Sequence, residues 1–185
     1  MPENKVQFNL KNVHYAVLTL TDGVASWANP VAVPGAVSLS LDPHGEVSSF
    51  YADGLVYYQS AGENGYSGDL EMARFHDQML QDVWGMVLNS TDKVLVEQDS
   101  GEVKSFALLY QIDGDVNNDL YCLYNCTASR PGLHGATSTE TKEPTTQSST
   151  VSAAPLPDGR VLARTTADTP EAVRTACFKS VYEGE

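Results

Sequence analysis

FALLYQIDGDVNNDLYCLYNC, residues 106–126, decides how the chain reads. Its middle, DGDVNNDLY (Asp113–Tyr121), spaces oxygen-bearing side chains at Asp113, Asp115 and Asn117 like the opening of a calcium loop. An EF-hand loop also needs glycine at its sixth position and a bidentate glutamate at its twelfth. Counted from Asp113, those positions are Asn118 and Tyr124, and counted from Asp115 they are Leu120 and Cys126. Both frames fail, so no metal is assigned to Asp113, Asp115 and Asn117. The flanks explain the run better. Phe106, Leu108, Tyr110 and Ile112 alternate with Ala107, Leu109 and Gln111, and LYCLYNCTA (120–128) has the same character. Asp, Gly and Asn between two such segments are hairpin turn chemistry.

Period-two patterning extends outward from this hairpin. In AVSLSLD, Val37, Leu39 and Leu41 oppose Ser38, Ser40 and Asp42, the signature of a half-buried strand. VHYAVLTL (13–20) is apolar on both faces and predicts a central strand covered on both sides. VSSFYA (47–52), VYYQS (56–60), YSGDLEMARF (66–75), VLVEQ (94–98), SSTVSAA (148–154) and RVLART (160–165) are shorter strand candidates. One helix stands out, where Phe75, Met79, Leu80, Val83 and Trp84 recur at three-to-four spacing against Gln78, Gln81 and Asp82. Asp77 suits its positive end and Gly85 its left-handed C′ position. A second helix is predicted to start at Thr169-Pro170-Glu171, with Thr169 as N-cap. Residues 129–146, SRPGLHGATSTETKEPTT, are polar and aperiodic, and loops of this length are usually functional or disordered. The fold class is mainly β with one flanking helix, in a single domain over 1–185.

The chain has 185 residues and a formal net charge of −13, from 24 acids and 11 bases. Such a balance disfavours a protein that grips nucleic acid through its phosphates. Between Lys11 and Arg74 lie no bases and seven acids: Asp22, Asp42, Glu46, Asp53, Glu63, Asp69 and Glu71. No apolar h-region marks MPENKVQFNL as a secretory signal, and no run approaches the roughly 18 apolar residues of a membrane span. Cys122 and Cys126, about 13 Å apart along a strand, cannot bridge. With Cys177 they make an odd count, expected to be reduced thiols of a cytoplasmic origin. HExxH, GxSxG, CxxC and GxxxxGK[ST] do not occur, and His14, His44, His76 and His134 are not at ligand spacing. No catalytic residue and no cofactor are expected, so the chain reads as no enzyme.

Several segments, in order, carry a family resemblance. KVQFNLKNVHYAVLT, PGAVSLSLDPHGE, FYADGLVYY, NGYSGDLEMA, the helix with DVWG, FALLYQIDGD, LYNCTASRP and the closing FKSVYE resemble the major tail (tail tube) proteins of long non-contractile-tailed bacteriophages, the phi13-type family. The resemblance spans most of the chain apart from 86–104 and 165–177. It implies a tail-tube fold, two antiparallel sheets packed as a sandwich or partly open barrel beside a helix. It further implies a structural virion protein whose hexameric rings stack into the tail tube, around a tape-measure protein and between a tail terminator and distal tail or baseplate proteins. DNA would pass through without specific binding, and the subunit would assemble in the host cytoplasm. No immunoglobulin-like C-terminal domain is expected. Under this reading the acids Asp42, Glu46, Asp53, Glu63, Asp69 and Glu71 are candidates for a lumen or surface that repels phosphates. An N-terminal arm (about 1–12) and the 129–146 loop would order only between subunits. The alternative is a carbohydrate-binding or adhesin β-sandwich, with Trp27, Tyr57 and Tyr58 stacking on sugars.

Overall fold

A computed structural model describes residues 3–45, 47–61, 65–135, 137 and 144–184. Its elements are β1 (Gln7–Thr21), β2 (Val24–Trp27), β3 (Val31–Ala32), β4 (Ala36–Pro43), β5 (Val47–Ala52), β6 (Leu55–Ala61), β7 (Tyr66–Met72), α1 (Asp77–Trp84), β8 (Val87–Leu88), β9 (Leu95–Val96), β10 (Phe106–Gly114), β11 (Asp119–Ala128), β12 (Gln147–Ala153), β13 (Leu162–Arg164) and α2 (Glu171–Ala176). The protein is mainly β. Hydrogen bonds run without a break through the antiparallel order β2-β1-β10-β11-β12-β7-β4, while β5–β6 and β8–β9 form separate ribbons. The two sheets of the expectation are thus one sheet that curls until β4 comes back against β1, a partly open barrel.

The central strands explain the curl. Phe106 through Gln111 are all buried, so β10 is covered on both faces. Phe106, Leu108 and Tyr110 point into a first core with Val13 and Tyr15 of β1, and Ala107 and Leu109 into a second with Ala16 and Leu18. Bulges adjust the parity. Asn12, at φ 50°, sits in the irregularity between Lys11 and His14, so that Leu10 and Val13 face the same core. In β11 an extra residue between Leu123 and Cys126 turns Cys126 and Ala128 to the first core, away from Tyr124. Two strands then share the outer edge of β11. Tyr121–Leu123 pair with β13 beside the second core, and Cys126–Ala128 pair with β12, which leads round the first.

Helix α1 fills the first core as its period predicts. Met79, Val83 and Trp84 are buried, the Trp84 ring meets Phe75 edge-on at 5.5 Å, and its N–H donates to Ala128 O at 3.0 Å. Gly85 takes φ 67° and returns its N–H to Leu80 O. A Cβ there would meet the Glu102 backbone at 3.0 Å, so glycine is needed for both conformation and room. Asp82 departs from its expected place on the solvent side. Its carboxylate accepts the Tyr15 hydroxyl at 2.7 Å, and burial together with that acceptor raises the Tyr15 pKa. Helix α2 begins one residue later than predicted. Pro170 is extended at ψ 142° and acts as the N-cap, while the Thr169 hydroxyl accepts the Thr166 N–H instead of capping.

The hairpin turn holds the N-terminal segment. Lys5 N–H donates to Asp115 Oδ1 at 2.9 Å, and the Asn4 side chain bonds the backbone of Val116 and Asn117. Lys11 pairs with Asp113 at 2.5 Å, and Gln111 also donates to that carboxylate. From Gln7, moreover, the expected arm is the start of β1, paired to β10. The Asp113 and Asp115 oxygens that resembled calcium ligands are bonded to the chain itself. Among the described residues, no three His, Cys, Asp or Glu side chains converge as metal ligands.

This arrangement sets a pH dependence. Hydrogen bonds from Lys11 and Gln111 hold the Asp113 carboxyl below its usual range, and Arg160 does the same for Asp158. A depressed folded-state pKa contributes stability that is complete above the unfolded value and is lost as pH falls through the folded one. The melting temperature should therefore drop as pH is lowered below about 4. Asp113→Asn should flatten that drop, and an unchanged acid limb in a thermal-melt series would refute the assignment.

Candidate functional site

Three strands place a polar face on the outside of the curled sheet. Because side chains alternate and β4, β7 and β12 are paired in register, Ser38, Glu71 and Ser148 share one row. Ser40, Asp69 and Thr150 form the next, and Asp42, Ser67 and Ser152 the third. The rows between, which include Leu39, Leu70 and Ser149 and then Leu41, Gly68 and Val151, face the first core. Thr127 of β11, paired to Ser152, extends the outer face by a fourth strand. Three carboxylates and hydroxyl side chains make up this surface, with no Lys or Arg among them.

Local sequence features keep the face in register. A bulge at Val37 lets Ala36 remain inside while Ser38 turns outward. Gly68 is the close-approach point, since a Cβ there would lie 1.8 Å from Ser40 O. The hydroxyls then fix the acids. Ser38 donates to Glu71 Oε2 at 2.9 Å, Thr146 to Glu71 Oε1 at 2.5 Å, and Thr150 to Asp69 Oδ1 at 2.8 Å. The bonds from Thr146 and Ser38 lower the Glu71 pKa, so its charge persists to lower pH than an ordinary glutamate's. Chemically, the face is a preorganised array of acceptors that repels anions.

The candidate acids do not all meet here. Asp42, Asp69 and Glu71 lie on the face, whereas Asp53 caps the tip of the β5–β6 ribbon. Glu46 and Glu63 lie outside the described residues. The ribbon is a second feature. Asp53 and Gly54 take φ 53° and 77°, a two-residue turn of the type that matches strand twist. Phe50, Tyr51, Leu55, Val56, Tyr57 and Tyr58 are between 52% and 76% exposed. A two-stranded ribbon with this surface is marginal alone, and apolar patches of this kind mark interaction sites. Sequence reasoning found the strands of this ribbon but not that it projects from the sheet; Asp53-Gly54 at its tip was the available signal.

The proposed sugar-stacking set is divided. Tyr57 and Tyr58 are on the ribbon, but Trp27 is half-buried, with its N–H bonded to Tyr124 O at 3.0 Å and its ring packed on Tyr124. The 129–146 loop is tied down within the chain at both ends. Ser129 bonds Thr150 and Ser149, Gly132 N–H donates to Ser148 O, Arg130 pairs with Glu97, and Thr146 bonds Glu71. Residues 136 and 138–143 of that loop, like Met1 and Pro2 of the arm, lie outside the described residues. Among the described residues, the strand order ends at the open edges of β2 and β4, and residues 8–11 of β1 are likewise unpaired on the side away from β10.

No protein-family model and no curated protein matches the chain. Among solved structures, the chain is similar to the tube-terminating cap of an anti-feeding prophage, determined by cryo-electron microscopy, at 13% identity and a TM-score of 0.47, covering 90% of this chain and 97% of that one.

Proposed function

We propose that this protein is a structural subunit of a bacteriophage tail tube, which self-assembles into stacked hexameric rings and forms the conduit for DNA delivery. The observation that carries the reading is the face of Asp42, Asp69 and Glu71, a hydroxyl-lined acidic surface without bases on a sheet that ends in open edges. Turned inward in a ring, it would line the channel and repel phosphates, so that the genome slides without counterion-releasing contacts. Open edges are an aggregation liability in a monomer and a joining device in a ring. The ordered series of motifs that resembles tail tube proteins supports the same reading.

The subunit acts by shape and charge, without a catalytic step. It surrounds the tape-measure protein, meets the terminator and distal tail proteins at the tube's ends, and resides in the virion after assembly in the host cytoplasm. Negative-stain microscopy of the purified chain should show rings or tubes. A dispersed monomer that binds glycans through Tyr57 and Tyr58 would instead establish the carbohydrate-binding reading.

A further inference from the structure

Where β4 returns toward β1 the barrel does not close, and a groove of about 1090 Å³ remains. Leu39, Leu41, Tyr66, Tyr110, Ile112 and Leu123 line it, continuous with the first core. Its walls are strand edges without partner strands among the described residues: β4 on the side away from β7, and residues 8–11 of β1 on the side away from β10. Phe8 and Val37 are exposed on these walls. In a chain of net charge −13, the lining includes Lys11 and Arg164 and no acid.

The β5–β6 ribbon has the complementary properties. It is an insertion between the paired strands β4 and β7, leaving the sheet at Pro43 and rejoining it at Tyr66. Its strand β5, of six residues, reaches roughly 20 Å at the usual strand rise. Within the chain its two strands pack extensively only on each other. Phe50, Tyr51, Leu55, Val56, Tyr57 and Tyr58 are exposed, the ribbon's outer edges pair with no strand among the described residues, and Asp53 is the sole charged residue between Val47 and Ala61.

We infer that the occupant of the β1–β4 groove is the β5–β6 ribbon of a second copy of this chain. An added ribbon can bond to a bare strand edge and place alternate side chains in the apolar floor. Asp53 supplies a negative charge to a rim where Arg164 carries a positive one, Lys11 being already paired to Asp113, which favours this register over a like-charged approach to the acidic face. The inference rests on the reading of the chain as a self-assembling subunit and names the contact by which one copy holds the next.

Mixed single-cysteine variants test it in the full chain. In a Cys177→Ser background, Cys122 and Cys126 are buried and leave only the introduced thiols reactive. Under copper–phenanthroline oxidation, which takes up the two electrons, Val37→Cys mixed with Tyr57→Cys should form a disulfide between copies at least tenfold more readily than Asp92→Cys mixed with Tyr57→Cys. Tyr57→Ser combined with Tyr58→Ser, changes at exposed sites, should leave the monomer's melting temperature unchanged. The same pair should weaken association at least about 100-fold, because buried aromatic anchors dominate interfaces. Microscopy of the same samples separates this inference from the tube reading. Rings or tubes without the Val37–Tyr57 cross-link overturn the groove as acceptor and leave the tube reading standing. Cross-linked copies that never form rings support the groove and overturn the tube. If neither forms, and the two tyrosines instead govern binding to anionic phosphatidylglycerol vesicles, the ribbon is a membrane contact and the inference fails.

Discussion

Trp84→Ala is expected to lower the melting midpoint of the unassembled protein by about 6–20 °C. Trp84 is 2% exposed at the end of α1, with its ring against Phe75 and its N–H on the Ala128 carbonyl. Removing a buried tryptophan typically costs about 3–5 kcal/mol, through lost transfer energy and the cavity left behind. Each kcal/mol moves the midpoint by roughly 2–4 °C in a chain of this size. Against a total stability of about 5–15 kcal/mol, that loss is enough to unfold a fraction of the population near body temperature. Trp84→Phe is the informative companion. It keeps most of the ring and loses the bond to Ala128, so about 1–3 kcal/mol should disappear as the buried carbonyl goes unpaired. Thermal melts followed by near-ultraviolet circular dichroism measure both, and a shift below about 3 °C for Trp84→Ala would show that α1 does not anchor the sheet.

The second large effect concerns the acidic face. Asp69→Lys with Glu71→Lys should keep the fold while costing stability, because Asp69 is exposed and Glu71 half-buried but the pair accepts three hydrogen bonds, from Ser38, Thr146 and Thr150, each worth about 0.5–1.5 kcal/mol. Assembled particles should nevertheless change from repelling to retaining duplex DNA. The proposed rings would bring the reversed charges of neighbouring subunits together, and a surface making about 6–10 phosphate contacts loses 10³–10⁵ in affinity between 50 and 200 mM salt. Filter retention of short duplexes by variant particles at low salt, abolished by that rise in salt, is the expected result. Asp92→Lys with Asp99→Lys reverses the same number of charges elsewhere on the exposed surface. If that control retained DNA equally, the β4–β7–β12 face would not be the channel lining.

Particular residues show how far the sequence could be read. The alternation of FALLYQI specified both faces of β10 and, with its turn, the β10–β11 hairpin, because neighbours in a hairpin are neighbours in sequence. The three-to-four spacing of Phe75, Met79, Val83 and Trp84 specified α1 and its buried side for the same local reason. The acids of the segment between Lys11 and Arg74 were identified as candidates, but their grouping was not. Asp53 sits at a ribbon tip while Asp42, Asp69 and Glu71 share a surface. The ligand-like run at Asp113 shows the converse. Its turn was legible, but its bonds to Asn4 and Lys5, more than 100 positions away in the chain, were not.

By itself, the sequence determined the strand-rich class, the one strong helix, the hairpin turn at 113–119 and the acidic excess, since each depends on local periodicity, turn chemistry or composition. The tertiary structure alone decided that Ser38, Glu71 and Ser148 stand in one row, that the sheet curls without closing, and that the aromatic ribbon projects beyond it. The physical reason is register. Period-two patterning fixes which side of a strand is buried, whereas the partner opposite each residue is set by long-range pairing, bulges such as that at Val37, and the close backbone approach at Gly68.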